Sequence, residues 1–138
     1  MMASEIVVDA SAVLAWILNE PEAETVEVVL RDTVRLVPPI WKLEVTNAIA
    51  VRHRRKLITF KQAAALLGTL DQFRVSVVDP FASRSMVELL TLASPHQLSI
   101  YDAAYLALAS DRKAPLLTLD KNLAQAAVRW RVPLQSLP

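Results

Sequence analysis

Short apolar runs separated by longer amphipathic ones recur along this chain. Ile6-Val7-Val8, Val34-Arg35-Leu36-Val37, Val75-Ser76-Val77-Val78 and Leu116-Leu117-Thr118-Leu119 have the length and the β-branched or aliphatic content of buried strands. Between them the apolar positions return every three or four residues, the spacing of helices with one buried face. That spacing predicts a helix capped by Ser11 and running through Val13, Leu14, Trp16 and Ile17, and a second starting near Pro21 with Glu22 and Glu24 in its first turn. Further helices are predicted over residues 40–56, 59–73, 80–93, 99–112 and 121–130, and a weak strand over 132–134. Parallel strands need crossover connections, so the alternation predicts an α/β fold with a central, mainly parallel sheet of four or five short strands covered by helices on both faces.

Composition narrows the functional classes. A chain of 138 residues is expected to form a single domain, 1–138. Its 54% hydrophobic content exceeds the ~45–50% usual for soluble domains, which points to apolar surface that meets a partner. No apolar run approaches the ~20 residues needed to cross a bilayer, and Glu5 and Asp9 stand where a signal peptide would be basic. A cytoplasmic protein without membrane attachment is expected. The absence of cysteine excludes disulfides, thiolate zinc sites and cysteine nucleophiles. A net charge of +1 excludes a globally basic nucleic-acid binder, so any RNA contact must come from a local patch or through a bound cation. One glycine cannot build a dinucleotide-binding or P-loop phosphate cradle.

Four acids are out of place in such a pattern. Asp9 and Asp120 each follow an apolar strand and precede a helix, at the carboxyl edge where open α/β sheets bind ligands. Glu44 falls on the same helical face as Ile40, Asn47, Ala48 and Val51, interrupting a stripe that should face the core. Asp102 opens a helix whose Ala103-Ala104-Tyr105-Leu106-Ala107-Leu108-Ala109 stretch is apolar on every side and therefore central. Each has an ordinary alternative. Asp9 and Asp120 suit helix N-caps, Asp102 follows Ser99 at the spacing of a capping box, and Glu44 at the edge of its stripe could reach water or pair with Arg55. Asp79, followed by Pro80, reads as a cap with proline in the first helical position and is assigned no chemistry.

Taken together, enclosed carboxylates repel one another unless a divalent cation is present. Oxygen donors without cysteine or a nearby histidine select a hard ion, Mg2+ or Mn2+, and such an ion supports phosphodiester hydrolysis. Arg52-His53-Arg54-Arg55-Lys56 is the dense basic run of the chain; it suits a helix C-terminus and could also touch RNA phosphates. A phosphoacceptor receiver fits the length, but it needs paired acids after the first strand, and Ala10 follows Asp9 here.

Val7-Val8-Asp9-Ala10-Ser11-Ala12, Leu43-Glu44-Val45-Thr46-Asn47-Ala48, Ser99-Ile100-Tyr101-Asp102-Ala103-Ala104-Tyr105-Leu106-Ala107 and Leu117-Thr118-Leu119-Asp120 resemble, in order and spacing, the four motifs of the PIN domain, in particular of VapC-type toxins. The resemblance spans the whole chain and implies a three-layer PIN-like α/β/α fold. It further implies a metal-dependent endoribonuclease that uses metal-activated water. In that reading Asp9 and Asp102 are principal metal ligands, Asp120 binds directly or through water, and Glu44 orients or activates the attacking water. The hydroxyls of Ser11 and Thr118 match supporting positions, Asn47 is a candidate partner for Glu44, and ordinary capping is their alternative role. Homodimerisation and neutralisation by a VapB-like antitoxin are also implied, with Trp16, Trp41 and Trp130 as candidate interface or core rings. The rival class is a catalytically silent PIN-like module that binds RNA or a protein.

Overall fold

The first strand, β1 (Glu5–Val8), sets the architecture. Successive strand residues point to opposite faces, yet Ile6, Val7 and Val8 are all essentially inaccessible to solvent, so both faces of the sheet are covered. The structure is a computed structural model that describes residues 3–138. After β1 the chain forms α1 (Ala10–Ile17), α2 (Ala23–Arg31), β2 (Val34–Val37), α3 (Ile40–Arg54), α4 (Phe60–Asp71), β3 (Ser76–Val77), α5 (Met86–Ala93), a single 3-10 turn at Ser94–His96, α6 (Ile100–Arg112), β4 (Leu116–Leu117) and α7 (Lys121–Arg129). Among the described residues no helix is long and apolar enough to cross a membrane.

All strand pairs are parallel and the sheet order is β3-β2-β1-β4. The chain steps outward from β1 through β2 to β3, then returns to place β4 on the other side of β1. The strand order therefore reverses between β1 and β4, and at such a switch point the two flanking connections splay apart and leave a crevice. The register, Val7 against Leu116 and Val8 against Leu117, ends both strands at the same edge, where Asp9 N–H donates to the Leu117 carbonyl at 3.0 Å. The anticipated fifth strand is a single parallel bridge, Leu116 to Leu134, because Pro133 has no N–H to extend a ladder.

The centre of the fold is α6, whose residues Ala103 to Ala109 are all buried. Its alanines let it lie close against β1 and β4. Trp41 is buried, while Trp16 and Trp130 are half-buried against the core, so the tryptophans pack inward.

Three local expectations are corrected. Residues 80–84 form turns, and the helix begins only at Met86. Ser85 and Glu88 complete a reciprocal capping box there, a stronger start signal than Asp79-Pro80. Asp79 instead closes a turn, its Oδ1 accepting from Phe81 N–H at 2.8 Å. At α1 the residue in the N-cap position is Asp9, with extended backbone and no side-chain capping bond, while Ser11 lies inside the helix. Pro21 precedes α2 without entering it.

Candidate active site at the β1–β4 edge

Asp9 leaves the end of β1 and is the buried charged residue of the core, 6% exposed. Its Oδ2 accepts from the Ser11 hydroxyl at 2.7 Å and from the Thr118 hydroxyl at 2.7 Å. Both hydroxyls have their direction set by the backbone, since Ser11 Oγ accepts from Leu119 N–H (2.9 Å) and Thr118 Oγ1 from Asp120 N–H (3.0 Å). Each proton is thereby left to point at Asp9, whose carboxylate also accepts from the Ala10 backbone. Thr118 can do this because the β1–β4 register places it beside Asp9.

Asp120 stands at the N-cap of α7, and its Oδ1 accepts from Asn122 N–H (2.9 Å) and Leu123 N–H (3.3 Å). The capping role is real, and it leaves Oδ2 available. Asp102 lies in the first turn of α6. Ser99 Oγ accepts from Asp102 N–H at 3.0 Å, but the reciprocal half found at Thr59/Gln62 and Ser85/Glu88 is not formed. The Asp102 carboxylate is therefore not consumed by the cap.

Glu44, half-buried on the second turn of α3, accepts a short hydrogen bond from the Tyr105 hydroxyl, 2.6 Å to Oε1. Its partner is neither Arg55 nor Asn47, both of which are exposed. Tyr105 was read from sequence as one more apolar residue of a buried helix. The available signal was its type: a tyrosine enclosed on all sides needs a partner for its hydroxyl, and Tyr105 follows Asp102 by one helical turn. Burial and the neighbouring Glu44 push its phenol well above the ordinary tyrosine value, so it remains a donor.

The electrostatics agree with the geometry. Burial raises the Asp9 carboxyl, the Thr118 and Ser11 hydroxyls pull it back, and the charge of Asp120 raises it further. Burial also raises Glu44, opposed by Tyr105 and reinforced by Asp9 and Asp102. Asp102 is raised by burial and then by Asp9 and Asp120, against Ser99. Asp9 and Asp102 thus each act on Glu44, and Asp120 acts on Asp9 and Asp102. The ion pairs among the described residues, Arg52 with Glu20, Arg84 with Asp111 and Arg112 with Glu5, involve none of them. Among the described residues no three carboxylate or imidazole groups close into a ready metal cage. The donor set nevertheless fits a hard divalent ion: oxygen only, enclosed, and lacking any protein cation to offset its charge. The basic run at the end of α3 lies about 15 Å along the helix from Glu44, away from the acids.

Comparison with known proteins identifies the family. The PIN domain model matches residues 6–129. Ribonuclease VapC3 of Pyrobaculum aerophilum is 32% identical over 122 residues, which cover 88% of this chain and 93% of that protein. Ribonuclease VapC12 of Mycobacterium tuberculosis is 32% identical over 123 residues, 88% of this chain and 91% of its own. The crystal structure of VapBC2 from Rickettsia felis, bound to a DNA fragment from its promoter, contains a chain of the same fold, with TM-score 0.66 and 13% identity over 96% of this chain and 98% of that one. The chain belongs to the PIN-domain family.

Proposed function

We propose that this protein is the toxin of a toxin–antitoxin pair and acts as an Mg2+- or Mn2+-dependent endoribonuclease on RNA phosphodiesters. The observation that carries the reading is the set of four acids at the β1–β4 switch point, three of them with raised pKa and none paired with a protein cation. It sits in a chain similar over most of its length to proteins named ribonucleases.

Asp9, Asp102 and Asp120 would hold the ion, with Glu44 beside it. A bound divalent ion supplies Lewis acidity, which lowers the pKa of water and offsets charge developing on the phosphoryl oxygens. The chain's own groups do the rest. The Ser11 and Thr118 hydroxyls fix Asp9 by one oxygen, and α7 fixes Asp120 by one oxygen, so each presents the other without rotating. Tyr105 holds Oε1 of Glu44, leaving Oε2 to orient the attacking water and accept its proton as the water oxygen bonds to phosphorus and the bond from phosphorus to the leaving ester oxygen breaks, that oxygen taking a proton from solvent. Its raised pKa suits that acceptance better than an ordinary surface glutamate would. A VapB-like antitoxin is the proposed protein partner, in keeping with the VapBC2 assembly of the same fold, and a homodimer is the proposed state without it.

The deciding experiment incubates total RNA with antitoxin-free protein in Mg2+ or Mn2+, in EDTA, and with the folded Asp102→Asn variant. Discrete fragments seen only in the first arm establish the nuclease. No cleavage by folded protein in any arm would favour the silent binding module.

A further inference from the structure

A concave apolar groove of about 330 Å³ opens between α3, the start of α6 and the turn after β3. Its floor and walls include Pro39, Leu43, Ile100 and the rings of Phe81 and Tyr101, with the Asp79 carboxylate at the rim. Leu43 immediately precedes Glu44, and Tyr101 immediately precedes Asp102. The helical turns that present the acids thus also form the groove. Two of these large side chains are held out to solvent, Leu43 at 66% and Tyr101 at 60% exposure. Phe81 is fixed by the turn in which its N–H donates to Asp79 Oδ1, so its ring is presented by a closed piece of backbone.

We propose that this groove receives an unstacked base of the RNA strand, next to the phosphodiester held at the acids; the proposal rests on the nuclease reading above. A strand cut as single-stranded RNA must place the bases flanking the cut somewhere, and protein sites for such bases are built from aromatic faces beside a backbone-binding surface. The groove has this construction. Phe81 and Tyr101 are the aromatic rings among its lining residues, so a base seated there lies against a ring. The second oxygen of Asp79 can accept from the exocyclic amine of the seated base, the pairing that carboxylates make with cytosine N4. Exposed apolar side chains that could meet a protein lie elsewhere, on α5, where Met86, Val87 and Leu90 are all strongly exposed.

The test uses the full chain with Mn2+ and a short single-stranded oligoribonucleotide carrying one mapped cut. Phe81→Ala and Tyr101→Ala are expected to raise KM by about 5- to 150-fold with a smaller change in kcat, while Phe81→Tyr and Tyr101→Phe retain the parent KM. An abasic ribose beside the cut should weaken the parent to a similar extent and add little to Phe81→Ala, because both remove the same contact. Light scattering on each variant reads its mass. Unchanged KM in the alanine variants, or full additivity with the abasic substrate, overturns the proposal. Weakening that tracks a loss of mass also overturns it, by assigning the groove to a second copy of the chain. Failure of the parent to cut any RNA removes the nuclease reading, and the base site with it.

Discussion

The two ends of α6 treat carboxylates in opposite ways. At its start, Asp102 faces Asp9, Glu44 and Asp120 with no basic side chain among its partners. About 13 Å further along the axis, Asp111 takes a bidentate pair from Arg84, at 3.0 and 3.1 Å, and Arg112 reaches back to Glu5 at the start of β1. The helix dipole welcomes Asp102 and opposes Asp111, which partly explains why Asp111 has an arginine. It does not explain a concentration of four acids at the other end. An exposed ion pair contributes about 0.2–1 kcal/mol, whereas the buried and half-buried acids at the start of the helix are offset by hydrogen bonds alone, from Ser11 and Thr118 to Asp9 and from Tyr105 to Glu44. The fold thus spends stability where the acids gather and recovers little where they are paired. A site that stores repulsion in this way is suited to a cation supplied from solution.

Breaking the acidic end should produce the largest effect. Asp102→Asn is expected to lower cleavage by at least about 10²-fold while raising the melting temperature of the metal-free protein, as read by a nuclease assay and by thermal denaturation in EDTA. A variant that loses both activity and stability would mean that Asp102 is chiefly structural.

Next comes the positioning of Glu44. Tyr105→Phe keeps the ring and removes the 2.6 Å hydrogen bond; the expected outcome is a fall of about tenfold or more in kcat with little change in KM, and a stability loss of about 1–2 kcal/mol. Steady-state kinetics with urea unfolding separate these. An unchanged kcat would reduce Tyr105 to a packing residue.

The pH response of the metal-free protein sharpens the comparison without mutation. Asp9, Glu44 and Asp102 bind protons more tightly folded than unfolded. The native state therefore holds more protons than the unfolded chain as pH rises from the ordinary carboxylate values of 3.8 and 4.5 towards the raised ones, and stability falls across that window. In EDTA the melting temperature should fall as pH rises from about 4.5 into the neutral range, and saturating Mg2+ should flatten the fall. A melting temperature that climbs with pH in EDTA would show that another group governs the titration.

The smallest effect belongs to the paired end. Arg84→Ala should cost about 1 kcal/mol or less in urea unfolding and leave cleavage intact. A large loss of activity there would mean that Arg84, which also holds the Pro80 carbonyl, is needed to keep Phe81 in place for the substrate.

Much of the fold was legible because its signals are local. A strand buried on both faces must be apolar throughout, and Ile6-Val7-Val8 and Leu116-Leu117 are; a helical stretch buried on every side must be apolar, and Ala103 to Ala109 of α6 is, the Tyr105 hydroxyl apart. Legibility failed where two start signals competed, as at Asp79-Pro80 against Ser85 and Glu88, and where a side chain had both a nearby and a distant partner. Ser11 looks like a helix cap by position, yet its hydroxyl bridges Asp9 and the Leu119 backbone. Asn47 shares a helix face with Glu44, but the hydrogen bond comes from Tyr105 on α6.

The sequence by itself determined the alternation of strands and helices, the class of the sheet and the identity of the four anomalous acids, because periodicity and the cost of burying charge act residue by residue. Only the tertiary structure decided that Asp9 and Asp120 share one sheet edge, since that depends on β4 crossing back to pair with β1 in a register that sets Thr118 beside Asp9. It alone chose Tyr105 as the partner of Glu44, because a contact between two helices depends on how the sheet spaces them and not on the pattern along either one.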